Sequence, residues 1–159
     1  MKRFHARRKD KEIDSLEELW HILRSQKYMT VACSKDNQPY LFTVNYAFDH
    51  SKNSLYFHCA PEGKKMEYLA SNPLVWGQVI EDRGYLYGKC DHNYRSVHFQ
   101  GVVQVVQEEK EKMEALHLLI DQQELDPEPV KRNLTPKQIE NTAIVKILII
   151  GISGKKYTG

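Results

Sequence analysis

Residues 40–49 alternate for ten positions, with Tyr40, Phe42, Val44, Tyr46 and Phe48 set against Thr43, Asn45, Ala47 and Asp49. A period of two sends successive side chains to opposite faces of a strand. A polar turn at 49–53 follows. Residues 54–60 then run back, with Leu55, Phe57 and Cys59 on one face and Tyr56 and His58 on the other. So short a link makes an antiparallel hairpin, and this pairing shapes the reading of the whole chain.

Further strands are expected at 28–34, 74–80, 97–107 and 142–150. Gly101 marks a bulge or a close backbone approach within 97–107. The run 142–150 is almost wholly aliphatic and reads as a strand buried on both faces. A first helix opens on the Asp14 and Glu17 capping pattern, carries the stripe Leu16, Leu19, Trp20 and Leu23, and ends near Gln26. Residues 63–71 form a short helix stopped by Asn72-Pro73. Residues 108–123 form another, with Met113, Leu116 and Ile120 on one face. Pro127 and Pro129 break the chain, and Thr135-Pro136 with Gln138 reads as a helix cap. Residues 81–95 read as a long connection and 151–159 as a tail. The expected class is mainly β with flanking helices, closed as a barrel rather than a doubly wound sheet.

A chain of 159 residues fits one domain, 1–159, with a basic N-terminal arm over 1–12 that is expected to be solvated or mobile. The net charge of +2 supplies no field for nucleic acid or a membrane surface. No apolar run reaches the roughly 20 residues of a membrane span, and the start lacks the apolar stretch of a signal peptide. Cys33, Cys59 and Cys90 are odd in number and widely spaced. They do not form a disulfide framework, which points to a reducing, cytoplasmic setting.

The most informative stretch is 55–65, where a strand runs through a turn into a helix that begins Gly63-Lys64-Lys65. Free N–H groups and the helix dipole favour an anion at such a point, and lysines suit phosphate. The alternative is that both lysines point to water. His58, at the strand's end, is either a hydrogen-bonded structural residue, a ligand contact or a proton donor. Cys90, His92 and His98 match no zinc spacing, so no metal is expected there. A single histidine ligand to haem stays open. No CxxC, nucleophile elbow, Walker A or GxGxxG pattern is present.

Residues 56–65, the preceding 41–46, Tyr94-Arg95-Ser96-Val97 with Gly101, and Ile152-Ser153-Gly154-Lys155 occur in an order with a known counterpart. Together with 7–13 they resemble the pyridoxamine 5'-phosphate oxidase-related FMN-binding proteins, in particular the nitroimidazole-resistance (Nim-like) branch. The resemblance covers nearly the whole chain and implies an FMN-binding split β-barrel. It implies flavin contacts along Phe42, Thr43, Val44, Asn45 and Tyr46, then at His58, Cys59 and Ala60. It implies a phosphate site at Gly63, Lys64 and Lys65, and a further polar contact at Ser96. It also implies a homodimer with FMN at the subunit interface. The oxidases proper place basic residues at both ends of the first flavin strand, where this chain has Leu41 and Tyr46, and they carry a C-terminal substrate segment without a counterpart here. Vitamin B6 oxidation is therefore not expected. The expected activity is an FMN-dependent reductase acting on a small electrophilic or nitro-type compound, with His58 as the catalytic candidate. The alternatives are an FMN carrier or redox sensor without turnover, and a haem protein using His92 or His98.

Overall fold

The computed structural model describes residues 1–4 and 7–159. Its strands are β1 (Lys2–Arg3), β2 (Tyr28–Lys35), β3 (Gln38–Asn45), β4 (Ala47–Asp49), β5 (Ser54–Cys59), β6 (Leu74–Leu86), β7 (Asp91–Val105) and β8 (Ala143–Tyr157). The helices are α1 (Leu16–Ser25), α2 (Lys64–Ser71), α3 (Glu109–Gln123), α4 (Pro127–Arg132) and α5 (Pro136–Glu140).

The strands form one sheet in the order β3-β2-β6-β7-β8-β5-β4, with β1 beside β8. Every pairing on that path is antiparallel. The two ends of the path, β3 and β4, are consecutive in the chain and separated by Tyr46 alone. One continuous segment thus joins both edges and the sheet curls into a split barrel. The expected single strand over 40–49 is therefore two strands meeting at a corner. Its alternation breaks there, since Tyr46, Ala47 and Phe48 are all buried.

The corner leaves backbone groups without a ladder partner, and such groups are costly when buried. Two glutamines at the end of α3 supply the partners. Gln123 Nε2 donates to Tyr46 O at 2.8 Å, and Gln122 Oε1 accepts from Phe48 N at 2.9 Å. Gln122 Nε2 also donates to the carbonyls of Leu23 and Gln26, and Tyr46 Oη donates to Leu23 O at 2.7 Å. These bonds tie α3, α1 and the barrel seam into one unit.

Inside the barrel, Met29, Val31, Phe42, Phe57, Val79, Phe99, Val145 and Ile147 pack with Leu19, Ile22 and Leu23 of α1. A second cluster on the outside joins Ala47, Tyr56 and Ile144 to Ala115, Leu116 and Leu119 of α3. Val145 and Ile144 thus bury opposite faces of β8, as its sequence implies, although Leu148 is exposed. Gly101 sits at a register shift between β7 and β8, and a Cβ there would lie 2.3 Å from Ile147 Cγ2. Both readings of that glycine hold.

Other boundaries differ from the expectation. The helix cap is Ser15, which accepts from Glu18 N at 3.2 Å, one position beyond the Asp14 and Glu17 pattern. The supposed connection 81–95 is the outer half of the β6–β7 hairpin, held by the Arg95–Glu81 ion pair. The supposed tail pairs with β7 as far as Tyr157. The break at Pro127 opens the short helix α4, because proline is tolerated in a first helical turn. The full capping box at Thr135 and Gln138 is present. Within the N-terminal arm, Lys2 and Arg3 pair with Gly151 and Ile152, and Arg3 donates to Ile13 O and Asp14 O, while residues 7–10 are exposed. Residues 5 and 6 of that arm lie outside the described residues. No described helix is long and apolar enough to cross a membrane.

Candidate functional site

The turn after β5 delivers the chain to α2 through Gly63, whose φ of +117° belongs to a region that side chains disfavour. Gly63 is the N-cap residue and offers no side-chain cap, so the first-turn N–H groups of α2 have no such acceptor. Lys64 and Lys65 follow directly. Lys64 Nζ lies 4.7 Å from the Tyr40 ring centroid and 5.6 Å from that of Tyr68. Lys65 Nζ lies 4.9 Å from the Phe42 centroid and 5.7 Å from that of Phe57. Among the described residues neither lysine has a salt bridge. The nearby carboxylate of Glu67 is taken by Lys35. Aromatic faces hold both ammonium groups in place without using their hydrogen-bond donors. Two cations and an uncapped helix end suit a phosphate group.

The residues singled out on β3 divide by face. Phe42 and Val44 point inward, and Phe42 forms one wall beside Lys65. Thr43 and Asn45 point outward. Thr43 Oγ1 meets Thr30 Oγ1 at 3.1 Å, and Asn45 Nδ2 donates to Gln123 Oε1 at 3.1 Å and Lys27 O at 3.3 Å. Tyr46 is fully buried, with its hydroxyl and carbonyl both committed at the seam. That burial pushes its phenol far above the ordinary value.

On β5, His58 is exposed on the outer face, and no hydrogen bond engages its ring among the described residues. Cys59 is half-buried with its Sγ 3.6 Å from Met66 Sδ. Burial raises its thiol pKa, and the charge of Lys65 opposes that shift. Ala60 is exposed in the turn.

Ser96 is not brought to this place. It lies on β7, buried, beside a separate depression on the outer face of the sheet together with Gln78, His98 and Lys155. Strands β2 and β6 intervene between β7 and β3, a separation of about 14 Å at normal strand spacing. His98 shares a 2.8 Å hydrogen bond with Gln78, and burial followed by the charge of Lys155 lowers its pKa. His92 meets Asp82 Oδ1 at 2.6 Å. Among the described residues no three His, Cys, Asp or Glu side chains gather as a metal-ligand set.

Asn45 and His58 also border a cleft of about 320 Å³ between the outer barrel face and α3, α4 and α5. Its walls include Leu116, Leu119, Ile120 and Leu134. Sequence reasoning missed this cleft. The sequence marked a break at 126–129 and a helix cap at Thr135, but nothing local signalled that this region folds over His58. The glutamine pair 122–123 was missed for the same reason, since its partners lie about a hundred residues away in the chain.

The pyridoxamine 5'-phosphate oxidase family model matches residues 15–156. A Rhizobium meliloti protein is 37% identical over 67 residues, which is 42% of this chain and 42% of that protein. The FAD and heme binding protein from Mycobacterium smegmatis superposes with a TM-score of 0.80 at 21% identity, over 94% of this chain and 74% of that one. A candidate 5-nitroimidazole antibiotic resistance protein from Bacteroides thetaiotaomicron gives 0.79 at 21% identity, over 91% and 85%.

Proposed function

The chain belongs to the pyridoxamine 5'-phosphate oxidase family, and on that premise we propose that it binds FMN and uses it to reduce a small electrophilic or nitro-type compound. The observation that carries the proposal is the pair Lys64 and Lys65, without a salt-bridge partner among the described residues and held on aromatic faces at the uncapped start of α2. The FAD and heme binding relative supports a flavin on this barrel. FMN is favoured over FAD because the basic pair accounts for one terminal phosphate.

When bound, the flavin supplies two-electron redox chemistry. Lys64 and Lys65 hold the phosphate, with α2 N–H groups behind them. The outward residues Thr43 and Asn45, backed by Phe42 and Val44 on the inner face of the same strand, would hold the ring. His58, Cys59 and Ala60 would meet its edge. The free imidazole of His58 faces the cleft and can hand a proton to a bound substrate.

A homodimer completes the site. Tyr28, Leu41, Trp76 and Ile80 share the outer face of adjacent strands β3, β2 and β6, and are 64%, 63%, 43% and 51% exposed. An apolar patch of this kind marks an interaction surface.

Visible absorbance of the purified protein after FMN addition and removal of excess tests the cofactor. Retained bands near ~370 and ~450 nm support it. A colourless product removes it, and a Soret band would favour haem at His92 or His98. Oxidation of NAD(P)H by the loaded protein separates a reductase from a carrier or sensor.

A further inference from the structure

The cleft beneath α3, α4 and α5 has a chemistry unlike that of the phosphate site. Half of its lining is aliphatic: Leu116, Leu119, Ile120, Val130, Leu134 and Ile139. The remainder is polar, and it contains no lysine or arginine. Glu124 is its one formally charged side chain.

The polar groups are partly spent within the chain. Gln123 uses both ends of its amide, on Tyr46 O, Lys27 O and Asn45 Nδ2. Gln138 Oε1 accepts from Thr135 N and Oγ1, and Thr142 Oγ1 donates to Gln138 O at 2.7 Å. Among the described residues five groups are left for a ligand: the acceptors Asn45 Oδ1 and Thr142 Oγ1, the exposed Glu124 carboxylate, the donor Gln138 Nε2, and the ring of His58. A volume of about 320 Å³ sits at the small end of the range for small-molecule sites. An anion here would meet a carboxylate and no cation among the lining residues, the ammonium of nearby Lys27 being spent on Gln123 O, and an unpaired charge is costly.

We infer that this cleft binds an uncharged, largely apolar ring compound bearing an N–H or O–H group, and that it rejects carboxylates, sulfonates and phosphates. Because it opens on His58 and Asn45, the occupant is the substrate; that last step rests on the flavin reading, whereas the binding itself does not. The selectivity is set by what the lining lacks as much as by what it offers.

Two fluorescent probes that differ by one sulfonate test this: N-phenyl-1-naphthylamine and 8-anilinonaphthalene-1-sulfonate. Each is titrated into the full chain, free of flavin and loaded with FMN. The neutral probe is expected to saturate at one per chain, at least about tenfold tighter than the sulfonate, and to stay bound when FMN is added. Leu134→Lys introduces a cation at the rim and brings the two affinities within about threefold. Glu124→Gln, an exposed change that leaves the core untouched, strengthens sulfonate binding about threefold. Equal binding of both probes, indifference to both substitutions, or displacement of the neutral probe by FMN overturns the inference. Displacement would make the cleft the cofactor's own seat. A protein that binds the neutral probe as described but retains no FMN sinks the flavin reading and leaves the cleft standing.

Discussion

Lys146 and the pair Lys64–Lys65 both stand beside aromatic rings, yet their surroundings are opposite. Lys146 lies 5.8 Å from the Tyr56 ring centroid and donates to Glu111 Oε1 at 2.9 Å, where Tyr56 Oη donates as well, at 2.8 Å. Lys52 and Glu114 close a second pair nearby. Lys146, Glu111, Lys52 and Glu114, at this junction of α3 with β5 and β8, are thus answered inside the chain. At the start of α2 the rings are present, and the nearby carboxylate of Glu67 is taken by Lys35. A lysine answered internally fastens the fold, and a lysine left unanswered is available to a ligand. Substitutions in the two regions should therefore split cleanly between stability and binding.

The largest effect is expected at the open pair. Lys64→Ala with Lys65→Ala should weaken FMN binding at least about a hundredfold in equilibrium titration, since each charged hydrogen bond is worth about 1.5–3 kcal/mol. The melting temperature of the flavin-free protein should hardly move. A large loss of stability would mean that the pair is structural and the contrast false.

Glu111→Gln should do the reverse. It leaves Lys146 without its partner in a half-buried junction, at a cost of about 1–3 kcal/mol by denaturant unfolding. FMN affinity should be unchanged.

Gly63→Ala sharpens the account of the turn. Open space surrounds that position, so the cost is purely one of backbone conformation. A loss of about 1 kcal/mol is expected, shared between stability and FMN affinity because the turn also aims the lysines. Its measurement is a paired thermal melt and flavin titration.

The smallest effect is a pH dependence confined to the closed region. Hydrogen bonds from Lys146 and Tyr56 hold Glu111 below its ordinary value of 4.5. A carboxylate with a depressed folded-state pKa binds protons less readily folded than unfolded. Its contribution is therefore fully present above 4.5 and fades as pH falls through the folded value. Stability curves from pH 6 to 3 should be flatter for Glu111→Gln than for the unaltered chain.

The sequence carried the local part of this picture. Alternation at 40–45 and 54–59 announced strands β3 and β5, although only residues 47–49 of the expected hairpin arm pair with 54–56 while 40–45 pairs with β2; the Gly63-Lys64-Lys65 turn marked the candidate anion site, because both signals lie within a few residues. What it hid was set by distant partners. The corner at Tyr46 does not interrupt the written alternation; it exists because Gln122 and Gln123, more than 70 residues later, take over the orphaned backbone groups. The outer β6–β7 hairpin is rich in Gly, Asp and Arg and resembles a loop in composition. Ion pairs such as Arg95 with Glu81 stabilise it, and hydrophobic periodicity does not register them. The cleft over His58 is likewise a product of where α3, α4 and α5 come to rest.

The most direct test of the central claim compares FMN with riboflavin, which lacks the phosphate, by titration into the flavin-free protein. The account predicts that FMN binds at least about a hundredfold more tightly than riboflavin, and that Lys64→Ala with Lys65→Ala erases the difference. Equal affinity of the unaltered chain for the two flavins would contradict the assignment of Lys64 and Lys65 as the phosphate site.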